Sequence, residues 1–132
     1  MAKYIYNKNR KVKIFKIVTS RNEQGFEIAT KKYIHPLDKC LSAYFKDLRS
    51  SEQAFNRQAE DLTEVVFVLN RRVLEKDMYI EYISRRTYGT TTYQITSIDN
   101  FDDTSYDVKV GARKVNPPTY DNVEGTEWQS YN

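Results

Sequence analysis

The chain has 132 residues, a net charge of +3, 14% aromatic residues including eleven tyrosines, four glycines, three prolines and a single cysteine. That length makes one domain able to bury about two thirds of its unfolded surface. The low glycine and proline content argues against disorder and repeats of the collagen type. One cysteine excludes an internal disulfide framework, and no apolar run approaches the ~18 residues needed to cross a bilayer. The basic N-terminus is followed by no hydrophobic signal core, so a soluble protein that stays where it is made is expected.

In chain order, Lys11 to Thr19 is predicted as a strand, with Val12, Ile14, Phe15 and Ile17 apolar on both parities between lysines. Asn22-Glu23-Gln24-Gly25 is a turn, because Asn and Gly tolerate the positive φ of tight turns. Phe26 to Tyr33 continues as a second strand, and His35-Pro36 stops regular pairing because proline has no backbone donor. Lys39 to Leu48 is the third strand, in which Leu41, Ala43 and Phe45 alternate with Ser42, Tyr44 and Lys46. Cys40, inside that run, is expected to be a small buried hydrophobe. Residues 50–60 are helix-prone, with Ser50 and Gln53 forming a capping box. About three turns are too short to be stable alone, so this helix must pack on its own barrel or on a neighbour.

The second half is more sharply patterned. Val65 to Leu69 is apolar at every position, as in a strand covered on both faces, and Asn70-Arg71-Arg72 closes it with charge. Tyr79 to Ile83 is a strand, Arg85 to Gly89 a turn, and Thr90 to Ile98 its hairpin partner. The acidic turn Asp99 to Asp103 leads to the clearest alternation, with Tyr106, Val108, Val110 and Ala112 on one face. After Asn116-Pro117-Pro118 the periodicity ends. The expected fold is mainly β: a small antiparallel β-barrel of about six to seven strands over residues 1–115, one short α-helix inserted at about 50–60, and an extended tail over 116–132.

Chemistry is sparse in this sequence. The lone histidine, His35, sits beside a proline at a loop, where a structural or solvated role outweighs that of a base. No cysteine pair, P-loop or glycine-rich phosphate cradle occurs. Asp99, Asp102 and Asp103 lack the glycine and terminal glutamate of a calcium loop and are expected at a solvated hairpin tip. An enzyme is therefore not expected, nor a cofactor or metal.

Charge is unevenly spread. Residues 1–22 carry Lys3, Lys8, Arg10, Lys11, Lys13, Lys16 and Arg21 with no acid, whereas residues 116–132 carry Asp121, Glu124 and Glu127 with no base. Such polarity suits orientation between an acidic and a basic surface, proximity to DNA, or simply a solvated strand and a loose tail. Tyr79, Tyr82, Tyr88 and Tyr93 with Arg85 and Arg86 would form the stacking platform if this were a small β-barrel nucleic-acid-binding protein.

Four stretches carry a family resemblance. Arg10 to Lys16 with Asn22 to Phe26 resembles an opening strand and its glycine-containing turn. Leu41 to Phe45 resembles the strand before an insert. Glu52, Phe55, Gln58 to Glu60 and Thr63 to Val68 resemble a helical insert passing into a central strand. Asp77 to Ile80, Thr87-Tyr88 and Tyr93 to Ile95 resemble a closing hairpin. In this order the chain is similar to phage head–tail joining proteins, the head-closure, stopper or head–tail adaptor family. The family places an arginine where this chain has Leu69-Asn70, and the tail beyond Val115 has no counterpart in it.

The resemblance implies a virion protein. It would be a subunit of a homo-oligomeric ring below the portal that retains packaged DNA and offers the tail a docking surface. Its partners would be the portal or an adaptor above, a tail-completion or tail-terminator protein below, and packaged DNA by non-specific contact. Its place would be the head–tail connector, and the cytoplasm of the infected bacterium during assembly. A tail-completion or adaptor protein of a neighbouring ring is the alternative inside the same assembly. Candidate subunit or partner contacts are Arg49, Gln53, Phe55, Arg57 and Gln58 on the insert, with Trp128 as a tail anchor. Lys8, Arg10, Lys11 and Lys13 are candidate contacts to portal or DNA.

Overall fold

The computed structural model describes residues 7–48, 63–84, 86–99 and 106–127. Eight strands follow one another: β1 (Arg10–Arg21), β2 (Glu27–Tyr33), β3 (Leu41–Asp47), β4 (Val65–Asn70), β5 (Tyr79–Ile83), β6 (Thr90–Asp99), β7 (Asp107–Lys114) and β8 (Asn122–Glu124). Neighbours pair in the order β3-β4-β7-β6-β5-β1, and β1 also pairs with β3, so six antiparallel strands close into a barrel. The fold class is mainly β, as expected. The strand count divides differently: six strands make the barrel and two, β2 and β8, lie beyond it. The expected helix falls on residues 50–60, outside the described residues.

Alternation sets the barrel. Val12 and Ile14 of β1, Ile80 of β5, Ile95 of β6, Val108, Val110 and Ala112 of β7 and Val65, Phe67 and Leu69 of β4 point inward and form one buried cluster. Side chains two apart share a face, so each strand contributes alternate residues to it. β4 is buried along Val65 to Leu69, which matches its unbroken apolar run. A bulge between Ile95 and Ser97 shifts the register of β6 against β7. There Gly111 faces Ser97 and Thr63 so closely that an added Cβ would collide with both.

β1 is the longest strand, and its two halves do different jobs. Lys11–Phe15 pairs with β5 on one edge, while Arg10–Val12 pairs with β3 on the other. Beyond the barrel, Phe15–Arg21 pairs with β2. Phe15 has partners in both β5 and β2, so β2 lies on the same edge of β1 as β3. The two are successive pieces of one rail, interrupted by residues 34–40.

His35 fills that interruption. Ile34 N–H donates to the Ile14 carbonyl at 3.0 Å, and Ile14 N–H donates to His35 Nε2 at 3.3 Å. His35 Nδ1–H then donates to the Pro36 carbonyl at 2.9 Å, which fixes the tautomer. The imidazole thus stands in for the carbonyl a continuous strand would offer, satisfying a donor that would be costly to bury unpaired. The ring is fully buried. Burial pushes its pKa below the usual histidine value, and Lys13 and Arg72 push the same way, against the Pro36 hydrogen bond and Glu81. His35 is therefore neutral and structural.

The β1–β2 turn is built by Asn22 and Gly25. Asn22 Oδ1 accepts from Gln24 and Phe26 N–H, Asn22 N–H donates to the Phe26 carbonyl, and Gly25 takes φ +84°. At the β5–β6 turn the left-handed residue is Tyr88, at φ +58°.

Two local expectations are corrected. Cys40 is exposed, because β3 begins one residue later and Cys40 belongs to the loop before it. Tyr106 precedes β7 and is 91% exposed, so the inward alternation starts at Val108. Within the tail, Asn122–Glu124 pairs with Thr30–Lys32 as a parallel strand.

Candidate interaction surface

The outer face of β1 and β5 carries a second cluster, separate from the barrel interior. The pairs Lys13↔Glu81, Phe15↔Tyr79, Phe15↔Tyr33 and Ile17↔Lys31 place these residues on one face, because cross-strand partners share a side. Phe15 stacks on Tyr79 at 5.2 Å between ring centres and meets Tyr33 edge-on at 5.7 Å. Lys31 Nζ lies 4.6 Å from the Phe15 ring centre, 5.2 Å from Tyr33 and 5.0 Å from Tyr120. It donates to Glu81 Oε2, while Tyr33 Oη–H donates to Glu81 Oε1 at 2.7 Å.

Three aromatic rings and one carboxylate therefore enclose a lysine of this same chain. Desolvation draws the Lys31 pKa down, but hydrogen bonds and attraction from Glu81 and Tyr33 outweigh it and leave the pKa above the usual lysine value. Burial and the bond to Glu81 raise the Tyr33 hydroxyl. The ammonium stays charged and is compensated on the spot, as a buried charge must be.

The C-terminal segment roofs this cluster. Asp121 and Ala29 exchange two bonds: Asp121 N–H to the Ala29 carbonyl at 2.7 Å, and Ala29 N–H to Asp121 Oδ2 at 2.9 Å. Farther along, Thr126 donates its N–H to the His35 carbonyl at 3.0 Å and its hydroxyl to the Tyr33 carbonyl at 2.7 Å. Gly125 lies between, so close to the loop that a Cβ would sit 2.7 Å from Leu37 N. Glu124 approaches Lys32 at 3.9 Å. The acidic end of the chain thus lies against β2 and meets Lys32 there, not the basic residues of 1–22.

The four candidate basic residues do not form one patch. Lys8 is held by Asp107 and by Asn70 Oδ1 at 3.0 Å. Arg10 pairs opposite Ala43 and has the inward parity of Val12. Lys11 and Lys13 share the outer face. Lys11 Nζ reaches Ser42 Oγ at 3.3 Å, and Lys13 Nζ reaches the Leu37 carbonyl at 3.3 Å and lies 5.4 Å from the Tyr33 ring centre. Arg49, Gln53, Phe55, Arg57, Gln58 and Trp128 lie outside the described residues, as do Arg85 and the loop carrying Asp102 and Asp103.

The tyrosine platform is not assembled. Tyr93 is buried in the barrel, Tyr82 stacks on Phe45 at 4.6 Å, and Tyr79 is committed to Phe15; of the four only Tyr88 is widely exposed. Among the described residues no group of three or more histidine, cysteine, aspartate or glutamate side chains is arranged to hold a metal. The sequence contained no signal for the Lys31–Glu81 pair, whose members are 50 residues apart and meet only through the registers of β2, β1 and β5. No family model matches the chain, and no curated protein matches it as a relative.

Proposed function

We propose that the chain is a structural subunit of the ring joining a phage head to its tail, seated below the portal, where it retains packaged DNA and offers a surface to the tail. The observation that supports this most is architectural. A closed barrel of six strands has β3 and β4 joined across residues 48–64, the position of the insert in the resembling family. The outlying β1–β2 arm and the roofing tail give such a subunit polar and apolar surface well beyond the barrel. On this reading the partners are further copies of the chain, the portal or an adaptor above, and a tail-completion or tail-terminator protein below.

The test is co-sedimentation with tailless, DNA-filled capsids beside a salt titration against naked DNA. Saturable capsid binding at physiological salt with weak naked-DNA binding is expected. Tight, salt-sensitive DNA binding without capsid uptake would sink the connector role, because phosphate contacts are what make affinity fall steeply with salt.

A further inference from the structure

Beyond the barrel, β1, β2 and β8 form a three-stranded outlying sheet with two open edges. Pairing of β1 with β5 stops at Phe15, while pairing with β2 continues to Arg21. Ile14 and Asn22 both direct their backbone groups toward the β2 side. Backbone bonding alternates along an antiparallel strand, so Ile17, Thr19 and Arg21 direct theirs to the opposite side. No described strand pairs with them there. On the far side, β8 uses one edge on β2 and leaves its other edge without a described partner strand. The row Ile17–Lys31–Val123 runs straight across the sheet, so the two open edges are level with one another.

Their chemistry and direction are complementary. The β1 edge is flanked by Lys16 and Arg21 and follows a segment with no acid, whereas the β8 edge is flanked by Asp121, Glu124 and Glu127 in a segment with no base. β1 runs antiparallel to β2 and β8 runs parallel to it, so β8 runs opposite to β1. When copies are repeated in one orientation, the β8 of one therefore meets the β1 of the next as an antiparallel pair, the more stable ladder. An open edge rich in β-branched residues, here Ile17, Val18 and Thr19, is also the type of surface that templates strand addition.

We propose that the outer arm is a self-association site in which the acidic β8 edge of one copy adds to the basic β1 edge of the next. The contact is heterologous: each copy uses a different surface on either side, so it closes into a ring when the rotation per copy permits. It is independent of any capsid partner, and capsid binding can succeed while this contact fails.

The test uses the full chain with Cys40→Ser, since the exposed native thiol would otherwise react. Thr19→Cys protein is mixed with Val123→Cys protein and treated with a short bis-maleimide, whose reach makes the result insensitive to register. Cross-linked heterodimers well above either homodimer are expected. Thr19→Cys homodimers in their place would mean arm-to-arm pairing and overturn the proposal, as would a chain that stays monomeric by light scattering to about 1 mM.

Two sets of variants sharpen the outcome. Thr19→Pro removes a donor that no described strand uses and should weaken self-association at least tenfold with unchanged circular dichroism. Should that variant misfold, Arg21→Glu and Glu124→Lys serve instead. Each alone should weaken association, and the two in one chain should restore it; failure of the double variant to recover overturns the charge pairing.

Discussion

The barrel interior and the cluster under the tail are two cores of different kind in one small molecule. Inside the barrel, Phe67, Ile14, Ile80, Leu69, Val65 and the valines of β7 need only volume and shape. Outside it, Phe15, Tyr33 and Tyr120 surround a lysine whose charge needs Glu81, whose neighbour Tyr33 needs the same carboxylate, and whose cover is a segment held by a few bonds. An apolar core fails gradually as methylenes are removed, whereas a core with a charge at its centre depends on one partner. The contrast teaches that the barrel supplies stability, while the outer cluster places the tail.

Breaking the barrel should have the largest effect. Phe67→Ala removes a fully buried ring that meets Phe45, Tyr82 and Tyr93, and should cost about 3–5 kcal/mol in urea denaturation, with both regions melting together. If the tail region melted separately, the two cores would be independent units. Next is Glu81→Ala, which leaves Lys31 enclosed without its anion. Their side chains are 14% and 10% exposed, so a loss of roughly 2–3 kcal/mol is expected. Lys31→Met, which keeps the stem and removes the charge, should cost less. Equal losses would mean the aromatic cage and not the ion pair carries the stability.

A smaller effect should come from pH. His35 has a lowered pKa in the folded chain, so between that value and about 6.5 the unfolded chain binds more protons. Stability is fully present above about pH 6.5 and falls as the pH drops through that window. Thermal melts between pH 7.5 and 5 should show this decline, and His35→Gln should flatten it while keeping an acceptor near Ile14. An unchanged slope in the variant would place the sensitivity elsewhere.

The smallest global effect should come from Gly125→Val. Its side chain collides with the backbone at Leu37 and should lift the tail for a cost of about 1 kcal/mol or less. Hydrogen exchange at Thr126 and Asp121 should quicken while that of Phe67 does not change. Quickening at both sites would join the two cores after all.

Most of the barrel was legible because its strands state their faces. Val108, Val110 and Ala112 alternate with polar residues, and Val65 to Leu69 does not alternate because it is buried throughout. The turn at Asn22 to Gly25 was legible from residue chemistry alone. What escaped was set by register. β8 is three exposed residues with no periodicity, and it exists because β2 offers an edge and Asp121 and Thr126 fasten its two ends. Lys31, which nothing in the sequence singles out, is central through partners remote in sequence. Tyr93 and Tyr82 were readable as either platform or core, and only closure of the barrel decides. The candidate contacts on residues 49–58 and at Trp128 lie outside the described residues, so the proposed self-association rests on the outer arm alone.

The barrel is held shut very unevenly. Five of its six seams join five or six residue pairs each, but β1 meets β3 through only Arg10↔Ala43, Lys11↔Ser42 and Val12↔Leu41. Just beyond that short seam the rail is continued by the imidazole of His35. A load that spreads the barrel would therefore part this seam first, since only three rungs hold it. The barrel would flatten into an open sheet along a line that its sequence had already drawn at Pro36.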